Sequence, residues 1–429
     1  MPQHPFAPAR IPPPARRAAQ GVIAVGAAVR PEDLVAALAD RPYPVMTSYL
    51  GTTLVAADPI EVVTGPAVWD ALDITVRSTT TVPSGAWLGY LGYDLGTRER
   101  PAAPPQSAHH HPPVAVLCRY RAIAQIAPGG CCRILGEGPD ARRLAAIAAA
   151  VAPLPAVPAR RRTPPPAASL DARAYAERAA EIIRRIRAGD CSEVNLVQRL
   201  SAVWDGEALT FADRLWTAAG PASHRAYFAT PEGTLVSASP ERLVAVRDAV
   251  AVSAPIKGTA ALGHGATLVN SAKDRAEHVM IVDLVRNDLG RVARIGGVSV
   301  PRLLVPLTTG YVEHLVSEVR AELVAGVRVS EVLGALFPAG SITGCPKLAA
   351  MRVIAELEPV PRGPAFGSMV AVGEDGGIEA SVLIRTAWLH DGRVSYWSGG
   401  AVTWDSDPAA EHAEAMVKAR PFLEAVGCG

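Results

Sequence analysis

The sequence predicts an α+β protein, and three observations point there. Short strand-like runs are many and alternate irregularly with helical ones, so units of the βαβ size are few. Neither a G-x-G-x-x-G turn nor a P-loop occurs, so nothing suggests a doubly wound nucleotide fold. The 429 residues are 49% hydrophobic and 19% charged, a balance that can bury a large core or two ordinary domains. The formal net charge of +1 offers no general attraction to nucleic acid or to an acidic membrane surface, so recognition must come from local charges. No run of about 20 apolar residues is present, and no membrane span is expected. The first residues, Met1-Pro2-Gln3-His4-Pro5, lack the apolar core of a signal peptide. The six cysteines (118, 131, 132, 191, 345 and 428) form no C-x-x-C pair. In a chain of this length they read as reduced thiols of a cytoplasmic protein, with neither a disulfide framework nor a zinc site.

Each element can be justified in order. Residues 1–20 are rich in Pro, Arg and Ala without an apolar period and are expected to be disordered. A first ordered part covers 21–152. In it Pro31 to Leu38 reads as a helix, with Pro at its first position and Glu32 and Asp33 in its first turn. Thr53 to Ala56 and Ile60 to Val63 read as strands, and Gly85 to Tyr93 as a tight turn or strand pair. His109-His110-His111 sits between prolines and reads as a solvated loop, or else as a metal site that lacks a second ligand cluster. Residues 153–168, with Arg160-Arg161-Arg162 and Pro164-Pro165-Pro166, form a linker. The second ordered region is 169–429. Ser169 is expected to cap a helix over 171–188 that stops at Gly189. A further helix starts at Ser271 and runs to a glycine cap at Gly290. The last helix starts at Asp407-Pro408, a strong start signal.

Six segments carry candidate chemistry. Lys257 lies in Ala254-Pro255-Ile256-Lys257-Gly258-Thr259, read as a strand end turning at Gly258. One reading is a snorkelling lysine with a wet head; the other is a desolvated lysine of lowered pKa, able to act as a nucleophile. Asp274 and Glu277 share a face of the Ser271 helix. Glu411, Glu414 and Lys418 share a stripe of the last helix, either a solvated ion-pair face or a carboxylate facing a metal. A hard ion such as Mg²⁺ needs only one or two carboxylates plus substrate oxygens and water. The loop Pro338 to Lys347, with Ser341, Thr343 and two glycines, can offer backbone N–H groups and hydroxyls to an anion. Val382-Leu383-Ile384-Arg385-Thr386 reads as a buried strand with an arginine inside, which must pair with a ligand carboxylate or an internal acid. Ser398-Gly399-Gly400-Ala401 reads as a small-residue turn where backbone can approach a ligand.

Taken together and in order, these segments resemble the chorismate-utilising enzymes, over about 172–425. The likeness is nearest to component I of aminodeoxychorismate synthase, through Pro255 to Thr259, Ser271 to Val292 and Gly340 to Lys347. Before the linker it is looser, chiefly at Gly89 to Tyr93. The resemblance implies a fold of two antiparallel β-sheets packed as a sandwich and surrounded by helices, with the active site between them. It implies that Glu277 and Glu414 hold Mg²⁺, with Asp274 and Glu411 nearby. Arg385, Lys418 and the backbone at Gly399, Gly400 and Ala401 would bind the substrate carboxylates. Ser341 and Thr343 would line the pocket, His314 would stand beside the ring, and Glu241 would be the general acid/base. Lys257 would attack ring C2 of chorismate as the C4 hydroxyl departs, and ammonia would then attack C4 and expel the lysine from C2.

The implied product is 4-amino-4-deoxychorismate, for p-aminobenzoate and folate or for a specialised metabolite. The implied ammonia source is a separate glutamine amidotransferase subunit. Within the family the alternatives are an anthranilate synthase, which typically carries alanine at the position of Lys257, and an isochorismate or salicylate synthase, which carries a lysine at that of Glu193. A non-catalytic chorismate-binding relative is the alternative of another class. Aminating members usually carry glutamine where this chain has Glu193, which is either a change within the pocket or a neutral solvent-facing one. Val370-Ala371-Val372 replaces the family's common Gly-Tyr-Leu, and Ala401 its third glycine.

Overall fold

The computed structural model describes residues 21–77, 85–96, 112–154, 163–309 and 312–428. The segment 1–20, the histidines at 109–111 and the arginines at 160–162 lie outside the described residues. The chain opens with β1 (Val22–Ala28) and α1 (Pro31–Ala37), which begins on its proline and first-turn acids. Next come β2 (Val45–Tyr49), β3 (Thr52–Ala56), β4 (Glu61–Thr64), the short α2 (Val68–Ala71), β5 (Trp87–Leu91), β6 (Ala115–Arg119), β7 (Ile123–Ile126), β8 (Cys131–Leu135) and α3 (Gly138–Ala150). Gly85 to Tyr93 therefore contributes the single strand β5, flanked by β6 and a later strand, and not a hairpin of its own.

The last two residues of the segment read as a linker form a strand, β9 (Ala167–Ala168), and α4 (Ala172–Ala188) follows. The cap of α4 is Asp171, which accepts from the Ala174 N–H at 2.8 Å. The Ser169 hydroxyl, expected there, accepts instead from the Arg199 N–H at 2.9 Å. Gly189 ends α4 in the left-handed conformation, as expected. Then come β10 (Glu193–Val203), α5 (Ala208–Ala219), β11 (His224–Thr230), β12 (Gly233–Ser239), β13 (Arg242–Arg247), β14 (Val250–Ala254), β15 (Ile256–Ala261), α6 (Gly265–Asn270) and α7 (Ala272–Gly290). Ser271 caps α7 by accepting from the Asp274 N–H at 3.2 Å. Gly290 is its last helical residue, and the cap falls on Arg291 in a right-handed conformation, so the expected glycine cap is not used. The chain ends with β16 (Ala293–Thr309), β17 (Val312–Leu323), α8 (Val329–Leu336), β18 (Gly344–Cys345), α9 (Lys347–Leu357), β19 (Ser368–Val372), β20 (Ile378–Val382), β21 (Thr386–His390), β22 (Arg393–Val402), α10 (Pro408–Lys418) and α11 (Arg420–Ala425).

The strands form two antiparallel sheets. One has 12 strands, in the order β1-β8-β7-β3-β2-β11-β12-β21-β22-β10-β18, with β9 beside β10. The other has 10, in the order β15-β17-β14-β13-β20-β19-β5-β6-β4, with β16 beside β17. Both sheets take strands from before and after the linker. The core between them holds Val45, Leu54, Phe228 and Leu235 of the larger sheet against Leu88, Val244, Val370 and Ala380 of the smaller. The next residues along the same strands, Met46, Val55, Tyr227 and Val236, face α1, α3, α5 and α11 in a second core. Alternate side chains thus feed opposite cores, the period of two that strand geometry imposes. Because both faces are buried, these strands read as apolar runs and not as alternating ones.

Twice the chain crosses between the sheets close to the candidate residues. From β12 it passes through Pro240-Glu241 into β13, and from β20 through Leu383-Ile384-Arg385 into β21. The crossings are stitched together, the Val382 N–H donating to the Glu241 carbonyl at 3.0 Å and the Ala238 N–H to the Arg385 carbonyl at 3.1 Å. Arg385 is therefore in a bend with φ +50° and not inside a strand. Ser398 to Ala401 is likewise not a turn but regular strand, paired across β22 with Gln198 to Asn195 of β10.

Candidate active site

Lys257 lies in β15, where the register against β17 slips between Lys257 and Ala260. Gly258, at φ +70°, makes that slip possible, since a side chain there would be strained. The bulge turns Lys257 inward: its side chain is only 8% exposed. Its Nζ donates to Glu193 Oε1 at 2.6 Å and to Glu277 Oε1 at 3.1 Å. This corrects both sequence readings of the lysine. It does not snorkel, and its pKa is not lowered: burial pulls it down, but Glu193 and Glu277 outweigh burial, and the net shift is upward. In the free protein Lys257 is an ammonium. Glu193 is fully buried, not solvent-facing, and burial raises its carboxyl. Its Oε2 has no hydrogen-bond partner.

The bulge also builds the next contact. The Gly258 carbonyl accepts from His314 Nδ1 at 2.7 Å, which leaves His314 Nε2 to accept from Arg385 Nη2 at 3.0 Å. Burial, with Arg385 beside it, lowers the His314 pKa to about 4, so this imidazole is neutral and acts as a spacer between backbone and guanidinium. Arg385 Nη1 is buried without a partner. An orphaned guanidinium nitrogen in such a place is a ready anion contact. The internal acid considered for Arg385 from sequence is replaced by this histidine.

Glu241 sits at the β12–β13 crossing and is 4% exposed. Burial raises its carboxyl to about 7, against the pull of the Ser341 hydroxyl, which donates to Oε1 at 2.5 Å. Ser341 comes from the single turn Gly340–Ile342 ahead of β18. Thr343, expected to line the pocket, is fully buried, and its hydroxyl donates to the Ala339 carbonyl at 2.9 Å. It closes its own loop and offers no donor to a ligand.

The last part of the site is α10 against β22. Asp407 caps α10 by accepting from the Ala410 N–H at 2.8 Å. Glu414 Oε1 pairs with Lys418 Nζ at 2.7 Å, and this neighbour lowers the Glu414 carboxyl; Lys418 also donates to the Gly399 carbonyl at 3.3 Å. A Cβ on Gly399 would lie 2.0 Å from the Leu196 carbonyl oxygen of β10, so the strand pair requires glycine there. A Cβ on Gly400 would lie 3.5 Å from both Glu411 Oε2 and Lys418 Nζ, and 3.9 Å from Glu414 Oε1. A methyl at Gly400 would therefore fit in ordinary contact with these groups, so Gly400 faces them without being required by them. Ala401 is paired with Asn195 and is not among the residues of positive φ, so its methyl does not disturb the strand. Ala371 is core of the smaller sheet, fully buried in β19.

The model for chorismate binding enzymes matches residues 47–424. The chain belongs to the chorismate binding enzyme family. It is 37% identical over 350 residues to aminodeoxychorismate synthase component 1 of Klebsiella aerogenes, covering 79% of this chain and 76% of that one. It is 33% identical over 414 residues to anthranilate synthase component 1 of Streptomyces coelicolor, covering 88% and 80%. Among solved structures, anthranilate synthase component I of Streptococcus pneumoniae superposes with a TM-score of 0.73 at 21% identity, over 97% of this chain and 95% of that one. The menaquinone-specific isochorismate synthase of Escherichia coli superposes with a TM-score of 0.75 at 19% identity, over 94% of each chain. These structures share the sandwich of two antiparallel sheets wrapped by helices that the resemblance implied.

Within this family member, sequence reasoning left two features of the site unread. One is Glu193 as the partner of Lys257; the signal was a charged residue opening a run, Glu193 to Gln198, that is otherwise mostly apolar. The other is the fully buried Arg362, which stacks on Tyr93 and Phe366 and pairs with Glu358 at 2.6 Å. It donates to the carbonyls of Ile342 at 2.7 Å and Asn195 at 2.8 Å, joining the Ser341 loop to β10. All six cysteines are free thiols. No described helix is long and apolar enough to cross a membrane, and the described residues hold no group of three or more His, Cys, Asp or Glu able to hold a metal.

Proposed function

We propose that this chain is the chorismate-aminating component of an aminodeoxychorismate synthase, converting chorismate and ammonia to 4-amino-4-deoxychorismate. The observation that carries the reading is the position of Lys257: a buried lysine at the centre of the site, where the anthranilate synthases it resembles have a small side chain. Arg385 Nη1, Lys418 and the backbone at Gly399 and Gly400 would receive the two substrate carboxylates. Glu277 of α7 and Glu414 of α10 offer hard oxygen donors, and two carboxylates with substrate oxygens and water suit Mg²⁺. When bound there, Mg²⁺ would neutralise substrate negative charge.

The chain's own groups would supply the proton chemistry. Lys257 becomes a neutral amine when its proton passes to a carboxylate it touches. Burial penalises both members of such an ion pair, which keeps this exchange within reach. The amine lone pair then forms a bond to ring C2, both conjugated double bonds of the ring diene shift round toward C4, and the C4–O bond breaks. Hydroxide is a poor leaving group, so the Glu241 carboxyl gives it a proton and water departs. Ammonia attacks C4, the electrons shift back, and the C2–N bond breaks to release Lys257 as the amine. The new C4 ammonium returns a proton to Glu241, and Lys257 recovers its own. Covalent catalysis replaces one hard displacement by two easier ones.

Ammonia would come from a separate glutamine amidotransferase. The support is that the matched relatives are named as component 1 of their synthases. Co-elution with such a subunit and glutamine-dependent turnover by the pair are expected; glutamine-dependent turnover by the chain alone would count against it. The nucleophile is tested by intact mass with chorismate and Mg²⁺ and without ammonia. Wild type should gain a covalent adduct that Lys257→Ala lacks, and an equal adduct on Lys257→Ala would place the nucleophile elsewhere.

A further inference from the structure

Glu193 is held more firmly than the other acid on Lys257. It is the first residue of β10, and its neighbours are tied down on both sides: the Ser192 N–H donates to the Cys345 carbonyl at 2.7 Å, and the Asn195 N–H to the Thr343 carbonyl at 2.9 Å. Arg362 adds its bond to the Asn195 carbonyl, and Glu358 Oε1 accepts from the Val197 N–H at 2.9 Å. The Glu193 side chain is fully buried, whereas that of Glu277 is 17% exposed on α7. Lysine is the opposite kind of group, a flexible four-carbon stem with many rotamers. Nζ has four tetrahedral positions: one bonds Cε, and contacts to Glu193 and Glu277 take two. A single direction remains; once a proton has passed to one of the two carboxylates, rotation about the Cε–Nζ bond brings the lone pair into it.

The geometry points to Glu193 as the positioning residue of Lys257: its Oε1 fixes where Nζ sits and which way the remaining position faces. This rests on Lys257 being the nucleophile, as proposed above. What Glu193 supplies is an oxygen acceptor at a fixed point, and near-attack placement of this kind can be worth about 100-fold in rate. The Glu193 side chain hydrogen-bonds to Lys257 through Oε1, its Oε2 has no partner, and it bonds to neither Arg385 nor Lys418.

The test compares wild type, Glu193→Ala and Glu193→Gln in two measurements: the rate of adduct formation with chorismate and Mg²⁺ by quenched intact mass, and kcat and KM with ammonium. Glu193→Ala should lose about 100-fold in adduct rate and in kcat, with the chorismate KM within about threefold of wild type. Glu193→Gln keeps an oxygen toward Nζ and should recover to within about tenfold of wild type. Wild-type adduct rates in Glu193→Ala overturn the inference. So does a loss in Glu193→Ala carried mainly by a raised KM, or one that Gln fails to rescue, since a mere packing or charge role would give those results. If wild type forms no adduct and Lys257→Ala keeps full turnover, the nucleophile reading falls and takes this inference with it. An adduct in wild type and an equal one in Glu193→Ala removes the inference alone.

Discussion

Removing the Ser341 hydroxyl should move the alkaline limb of the reaction to higher pH. Glu241 must be protonated to release hydroxide as water. An ordinary glutamic acid, of pKa about 4.3, is protonated at roughly 0.2% at pH 7. With burial holding its carboxyl at about 7, Glu241 is half protonated there. The site therefore gains about 200-fold in its acid form. Ser341 works against this gain. Its hydroxyl donates to Oε1 at 2.5 Å and so favours the carboxylate. Hydrogen bonds to charged groups exceed neutral ones by about 1 kcal/mol, which corresponds to roughly 0.7 of a pKa unit. In Ser341→Ala the Glu241 pKa rises by about that amount, and the acid survives to higher pH. The assay is the rate of adduct formation by quenched intact mass between about pH 5.5 and 9, without ammonia, so that the titration of ammonium does not intrude. Wild type should fall tenfold per pH unit above about 7, and Ser341→Ala should follow the same curve displaced upward. An unmoved limb, or one displaced to lower pH, refutes the assignment of that limb to Glu241.

Arg385→Lys keeps the charge but cannot bridge His314 and a ligand as a planar fork does; the chorismate KM should rise by about 10- to 100-fold, and an unchanged KM in steady-state kinetics would remove Arg385 from carboxylate binding. Glu379 is buried, accepts from Arg242 at 2.7 Å and from the Leu50 N–H at 3.0 Å, and lies 3.1 Å from His224. Burial would raise its carboxyl, but Arg242 and His224 outweigh that and hold it at about 2. Its contribution is therefore present above about pH 4.3, the unfolded value, and is lost as pH falls toward 2. Glu379→Ala should cost about 3 kcal/mol in denaturant unfolding at pH 7, and the difference from wild type should shrink as pH falls from 4 toward 2. Gly399→Ala forces a methyl against the Leu196 carbonyl and should cost about 2–4 kcal/mol in the same assay, whereas a neutral result would show that β10 and β22 can part there.

Much of the fold was legible where local signals decide it. Pro31, Asp407-Pro408, Ser271 and Gly189 mark helix ends through groups a few residues away, and they mark them in the structure. What was misread depends on distant chain. Val382-Leu383-Ile384 is apolar enough to read as strand, but the chain leaves one sheet there for the other, and the left-handed Arg385 that turns it has no sequence signature. Ser398 to Ala401 reads as a turn because small residues are common in turns. Here Gly399 is small because Leu196 lies against it across the sheet. The protonation of Lys257 was misjudged for the same reason. Burial was inferred from its flanking residues, but the carboxylates that decide its charge come from positions 64 residues earlier and 20 residues later. The site residues were legible only as a set, because their spacing along the chain resembles a family, and no single segment says what its side chain will meet.

The most direct test of the central claim is the product formed from chorismate. The purified chain, incubated with chorismate, Mg²⁺ and ammonium, should yield 4-amino-4-deoxychorismate, identified by mass with the enolpyruvyl group retained. Anthranilate with free pyruvate, or isochorismate, would contradict the assignment.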